Sequence, residues 1–175
     1  MMKTKALMAA VAIVAILSLC GCSGCFDPAG NDASREALNA LGLTTSKPPK
    51  LLGHTDKRTG LQNDGETLTT MLIDPCDKAG ILEQIRKSKR WIYGKFDEKD
   101  AAKFLNGKSG IFGNIGEDCL SRDKFSSKDK IEALYFRDCF EEKYGRRYPG
   151  GMTPNYVFGA YDADTGLLLY YRFDS

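Results

Sequence analysis

The run Tyr156-Val157-Phe158-Gly159-Ala160-Tyr161, Asp162-Ala163-Asp164-Thr165-Gly166, Leu167-Leu168-Leu169-Tyr170-Tyr171-Arg172-Phe173 decides the fold. Two short segments rich in aromatic and aliphatic side chains flank a stretch of Asp, Thr and Gly, which predicts a β-hairpin. Alternation places Leu167, Leu169, Tyr171 and Phe173 on one face of its second strand. Working back, Ile131 to Phe140 fits either a helix or a strand, and the Tyr135-Phe136 pair favours a strand. Leu51 to Asp56 and Thr67 to Ile73 read as two further strands, with Asn63-Asp64-Gly65 as the turn signal between them. Trp91-Ile92-Tyr93 is a short strand candidate.

Helices fill the intervals. Asp32 to Leu41 carries apolar residues at helical spacing, with Gly42 as C-cap. Asp74-Pro75-Cys76-Asp77 reads as a helix start, with Asp74 as N-cap and Pro75 at the first helical position, and Ile81, Leu82 and Ile85 form the apolar face behind it. Asp97 caps another helix, in which Phe96 and Ala101 form a hydrophobic staple, Phe104 and Leu105 face the core, and Gly107 is the stop. Gly107 to Ser127, with glycines at 107, 110, 113 and 116, reads as a loop. The expected fold is α+β: an antiparallel sheet of about five strands, two or three helices packed on one side, ending in a β-hairpin.

The 175-residue composition averages two unlike parts. Met1-Met2-Lys3-Thr4-Lys5 is a basic start, and Ala6 to Cys20 is apolar except for Ser18, too short for a span of about 20 residues but suited to an export signal. Lys3 and Lys5 carry the whole formal excess of +2; of 25 basic and 23 acidic residues, the chain after residue 21 keeps 23 of each. Such a balanced body gives no electrostatic reason to expect nucleic acid as a partner.

Leu19-Cys20-Gly21-Cys22 resembles the lipobox of bacterial lipoproteins, with Gly21 just before a cysteine that takes the lipid and Leu19 as the aliphatic residue three positions ahead of it. The resemblance implies residues 1–21 as signal peptide, a lipidated and flexible tether at 22–31, and one α+β domain at 32–175. It also implies a cell-membrane location on the extracytoplasmic face, with the membrane itself as partner through the lipid on Cys22. In that compartment disulfides persist, and Cys76, Cys119 and Cys139 are the cysteines among which a pair is expected. The body, from His54 and Asn63-Asp64-Gly65-Glu66-Thr67 through Leu82-Glu83-Gln84-Ile85 and Trp91 to Tyr156-Val157-Phe158 and Leu169-Tyr170-Tyr171, is similar to a group of small uncharacterised bacterial proteins. That similarity spans roughly residues 50 to 175 and implies a strand around Tyr135, but no activity.

Few residues carry candidate chemistry. His54 is the single histidine, and with Asp56, Asp64 and Glu66 near it in sequence it is a candidate cation contact or general base. Gly107-Lys108-Ser109 imitates the end of a phosphate loop, but Ala102 stands where that motif needs glycine. Asp162-Ala163-Asp164-Thr165-Gly166 imitates the opening of a calcium loop but lacks its fifth and twelfth ligands, so a hairpin turn accounts for it. Cys76 at a helix start has Asp74 and Asp77 beside it, which oppose a thiolate. Arg86-Lys87-Ser88-Lys89-Arg90-Trp91 and Lys143-Tyr144-Gly145-Arg146-Arg147-Tyr148 interleave cations with aromatics, a pattern suited to anionic headgroups or wall polymers. The expected ligand contacts are therefore His54, Asp64, Glu66, Trp91 and Tyr148, with no metal and no cofactor. The expected function is a non-enzymatic binding module of the cell envelope, with an unknown envelope partner. A small envelope hydrolase using His54 with Asp64, Glu66 or Cys76 is the alternative, beside an immunity or inhibitor protein.

Overall fold

The computed structural model describes residues 28–58, 64–97, 99–101, 103–104, 131–149 and 154–175. Its centre is one antiparallel sheet of β1 (Lys50–Asp56), β2 (Gly65–Leu72), β3 (Trp91–Phe96), β4 (Ile131–Asp138), β5 (Asn155–Asp162) and β6 (Leu167–Asp174), in the order β1-β2-β6-β5-β4-β3. The helices are α1 (Pro28–Leu41), α2 (Lys78–Lys87) and α3 (Cys139–Tyr144), with further helical residues at 99–101 and 103–104. The fold is α+β as expected, with six strands rather than about five. The extra strand is Trp91–Phe96, whose pairing with β4 a three-residue candidate barely signals. The C-terminal hairpin β5-β6 occupies the middle of the sheet, which explains its nearly continuous burial.

Register turns the strands into rows. His54, Thr69, Tyr170, Gly159, Tyr135 and Trp91 stand side by side across the whole sheet. The next row toward the β6 C-terminus is Asp56, Thr67, Arg172, Val157 and Arg137. Period two sends both rows to one face. That face carries α1 and α2, whose Ala37, Leu38, Leu41, Ile81 and Ile85 pack with Trp91, Tyr135, Tyr161, Leu168 and Tyr170.

The C-terminus of α1 is fully accounted for. The last four carbonyls of a helix have no partner within it. Here Leu43 N donates to Leu38 O at 2.9 Å and Gly42 N to Asn39 O at 3.1 Å, a Schellman pair made possible by Gly42 at φ 68°. Tyr135 Oη donates to Ala40 O and Trp91 Nε1 to Leu41 O, each at 3.1 Å. The sheet thus completes the helix end that sits on it.

The opposite face is also apolar. Ile131, Leu134, Tyr156, Phe158, Ala160, Leu167, Leu169 and Tyr171 form a second cluster, with Ala101 buried against it and Phe96, Phe104, Phe136 and Phe173 around it. Helices on one side only is therefore a reading that the structure corrects: Ala101 belongs to the other side. The reason is the alternation itself, because both phases of β5 and β6 are hydrophobic.

Helix starts follow the sequence unevenly. Asp97 Oδ1 accepts from Asp100 N at 2.7 Å, as an N-cap should. Asp74, expected to cap α2, instead accepts from Cys76 N at 3.0 Å in a turn, and α2 begins later with Asp77 at its N-cap. Asp77 makes no side-chain cap bond; its carboxylate accepts from Ser46 N at 3.1 Å and fastens the incoming loop. The helix α1 starts at Pro28, inside the stretch read as flexible tether. The strand expected to reach Phe140 ends at Asp138, whose Oδ1 accepts from Glu141 N at 2.8 Å and opens α3. Gly145, left-handed at φ 67°, closes it. The stretch read as the Gly107–Ser127 loop and the phosphate-loop lookalike lie outside the described residues, as do the segment read as an export signal, Cys22 and Cys119.

Candidate functional site

Where α1 stops covering its face of the sheet, a groove of about 620 Å³ opens. Its floor is the row Arg172-Val157-Arg137 with Tyr170 behind it; one wall is Glu36 and Ala40 of α1, the other α3 and the segment after it. Strands lie about 4.8 Å apart, so the backbones of the two arginines stand roughly 10 Å from each other, on either side of Val157. That volume falls within the ~300–1,000 Å³ usual for small-molecule sites.

The arginines are held by carboxylates. Arg172 Nε lies 2.6 Å from Asp174 Oδ2 and its Nη1 3.5 Å from Glu36 Oε1. Arg137 Nε lies 3.3 Å from Glu142 Oε2, and Arg90 reaches the same Glu142 at 2.7 Å. These are charge pairs, and the buried Arg137 Nε has no hydrogen-bond partner among the described residues, so with five N–H donors per guanidinium both heads keep donors for a ligand. Arg58 continues the chain of charges: its Nε is 2.9 Å from Asp56 Oδ1, and its Nη1 is 3.8 Å from Glu36 Oε1. The hydrogen-bonded Arg58 guanidinium holds the Asp56 carboxyl well below the usual carboxylate range.

An aromatic rim stands over the groove. Phe140 packs against Tyr144 at 4.5 Å and edge-on against Tyr148 at 5.2 Å, and both tyrosines are exposed. Lys143 sits over the Tyr144 ring at 5.1 Å. Cys139 lines the same groove as a free, half-buried thiol; burial pushes its pKa up, against the pull of Arg137 and Arg172.

Of the residues singled out in the sequence, Cys139 and, from the Lys143–Tyr148 cluster, Lys143, Tyr144 and Tyr148 line this groove. Trp91 is buried core, not a ligand contact, because its indole completes α1. His54 is exposed on β1, with Nδ1 2.9 Å from Thr69 Oγ1. Glu66 is on the other face of the sheet, where it pairs with Lys57 at 2.6 Å and accepts from Tyr171 Oη at 3.3 Å. Alternation along β2 separates the two: Thr69 shares a face with Met71, and Glu66 with Leu68. Asp64 is an exposed bridge residue ahead of β2. Cys76, a free exposed thiol, is held in its neutral form first by its hydrogen bond to Asp74. It sits beside Asp74 and Lys47, ahead of β1, whereas His54 lies within that strand beside Thr69. No disulfide joins Cys76 to Cys139.

The other lookalike resolves as a turn. Asp162 Oδ1 accepts from Asp164 N at 2.9 Å and its Oδ2 from Thr165 Oγ1 at 2.7 Å, so the carboxylate is spent on the hairpin.

What sequence reasoning missed are Arg137, Arg172, Glu36 and Phe140. The available signal was phase: Arg172 falls in step with Leu168 and Tyr170, positions that face the core, and a cation there marks the edge of the apolar layer.

The buried tyrosines give a pH expectation. Burial pushes the Tyr161 and Tyr170 hydroxyls up from 10.0 to about 12. Unfolded tyrosine ionises first, so this contribution to stability is complete below about pH 10 and lost as pH rises toward 12. Denaturation midpoints measured between pH 8 and 12 should fall over that window. Tyr161→Phe, which removes a hydroxyl without a hydrogen-bond partner among the described residues, should reduce the fall without lowering stability at pH 7.

Among the described residues, no helix is long and apolar enough to cross a membrane. No protein-family model matches the chain, and no curated protein or solved structure shows significant similarity to it.

Proposed function

We propose that this chain is a lipid-anchored extracytoplasmic protein whose folded domain is a non-enzymatic binding module of the cell envelope, and that the Arg137-Val157-Arg172 groove is its binding site. The observation that carries the binding half is the groove itself. Two arginines in one cross-strand row, oriented by carboxylates, lie beneath an exposed aromatic rim. Aromatic and arginine side chains are the residues that dominate recognition surfaces. Supporting the anchor is Leu19-Cys20-Gly21-Cys22 behind a basic, apolar leader. Two or three acyl chains on Cys22 hold a domain at a membrane where a single chain does so only marginally.

Two measurements test it. Mass spectrometry of the mature N-terminus should find an acylated Cys22, and Cys22→Ser should move nearly all of the protein out of the membrane fraction. An unmodified Cys22, or a Cys22→Ser protein that stays with the membrane, overturns the anchor. For the module, a photoreactive side chain at Tyr148 should crosslink to an envelope component in the native cell, whereas one at exposed Lys50 on β1 should not. Equal labelling from both positions overturns the groove as the binding site.

A further inference from the structure

The groove is chemically mixed. Its lining offers cations (Arg137, Lys143, Arg172) together with carboxylates (Glu36, Asp174) and the Asn155 amide. Asn155 Oδ1 accepts from Ser175 N at 2.9 Å, which leaves its NH₂ to donate. A polyanion would meet Glu36 and Asp174 as like charges, each within 3.5 Å of Arg172 and so in the path of anything approaching that guanidinium. A neutral apolar ligand would strip water from five charged side chains without replacing their hydrogen bonds. The lining suits a ligand that brings one negative group for the arginines and several hydroxyls, each able to donate to a carboxylate and accept from an amide or ammonium.

The rim adds a shape. Tyr144 and Tyr148 are 54% and 43% exposed around Phe140, so their rings present faces and edges to the opening rather than filling the core. A sugar ring lays its C–H face on such a ring while its hydroxyls point outward to polar partners, an amphipathic fit of the kind tyrosine supports. Resting on the reading of the groove as a binding site, we propose that its ligand is an acidic saccharide: one or two sugar rings bearing a single carboxylate or phosphate. The anionic group sits between Arg137 and Arg172, where a planar guanidinium can form two parallel bonds to carboxylate or phosphate oxygens. The ring lies against Tyr148, and Glu36 and Asn155 take its hydroxyls.

The test uses the folded chain and isothermal titration with defined probes. These are a disaccharide with one uronic acid, the matching neutral disaccharide, a hexose phosphate, inorganic phosphate and hexaglutamate. The uronic-acid disaccharide or the hexose phosphate should bind at least tenfold more tightly than the neutral disaccharide, inorganic phosphate or hexaglutamate. Whichever of the two binds more tightly identifies carboxylate or phosphate as the natural anion. Tyr148→Ala, an exposed change that leaves the core untouched, should weaken the acidic sugar about tenfold. Arg137→Gln should abolish its preference over the neutral one. Because Arg137→Gln releases Glu142, its melting temperature is measured alongside, and Lys143→Gln on the exposed surface of α3 repeats the charge test where folding is not at stake. Hexaglutamate binding as tightly as the acidic sugars, with the same dependence on Arg137 and Tyr148, would overturn the saccharide while leaving the groove as a site. Failure of every probe overturns the saccharide, and the crosslink at Tyr148 then decides the groove separately.

Discussion

Replacing Trp91 with Ala should lower the stability of the domain by about 3–5 kcal/mol, the range for removing a buried aromatic side chain. Trp91 is 6% exposed at the meeting of β3, β4 and α1, with its ring 5.3 Å from that of Tyr135. The loss combines the cavity with a polar cost, because the indole N–H is the partner of Leu41 O at the end of α1. Trp91→Phe separates the two. It keeps a buried six-membered ring, loses the donor and leaves a much smaller cavity than Ala, so it should cost about 1–3 kcal/mol, chiefly the penalty for an unsatisfied buried carbonyl. Urea denaturation of both variants, monitored by far-ultraviolet circular dichroism, gives the comparison. Equal stability of Trp91→Phe and the parent chain would show that the helix end does not depend on this bond.

Gly159→Val should be the second large effect, about 1–3 kcal/mol of destabilisation. Valine is a better strand former than glycine, and propensity alone predicts a gain of up to about 1 kcal/mol. Packing opposes it and wins. A Cβ at Gly159 would stand 2.6 Å from Leu41 Cδ2, 3.3 Å from Tyr135 Cβ and 3.4 Å from Leu169 O. The leucine end can rotate, but the tyrosine Cβ and the carbonyl are fixed to backbone. Gly159 is thus the notch into which α1 sets Leu41, in the row that runs from His54 to Trp91. Leu41→Ala in the same chain removes the first clash, so the double variant should lose less than the sum of the singles by about 1 kcal/mol or more. Strict additivity of the two denaturation free energies would contradict the notch.

Strands were the legible part of this chain. Five were recognisable as segments from alternation and turn residues, with ends within a few residues of those observed, because period two is imposed by the pleat, whereas Trp91–Phe96 offered only a three-residue candidate. Asp97 as an N-cap and Gly42 as a C-cap were legible for the same kind of reason, since each depends on a side chain and backbone only a few residues away. The short α3 was missed although Asp138, Glu141 and Gly145 mark both its ends, because the apolar run into Cys139-Phe140 reads as continued strand. Asp74 was misassigned as a cap because turns and helix starts use the same short carboxylates.

The site was barely legible. His54 and Glu66 looked like neighbours, yet strand alternation puts them on opposite faces. Trp91 looked like a surface for stacking, yet a helix end fifty residues earlier claims its only donor. Arg137, Val157 and Arg172 come from three strands, and no spacing within the chain announces that they share a row.

By itself the sequence determined what depends on neighbours along the chain: strand periodicity, turns, caps, a basic and apolar N-terminal stretch, and a remainder whose charges cancel. Tertiary structure decided which strands pair and in what order, that both faces of the C-terminal hairpin are covered, and where α1 stops and leaves a groove. The division is physical. Local structure is set by hydrogen bonds and steric limits that reach a few residues, whereas register and burial arise only when distant segments compete for the same apolar surface.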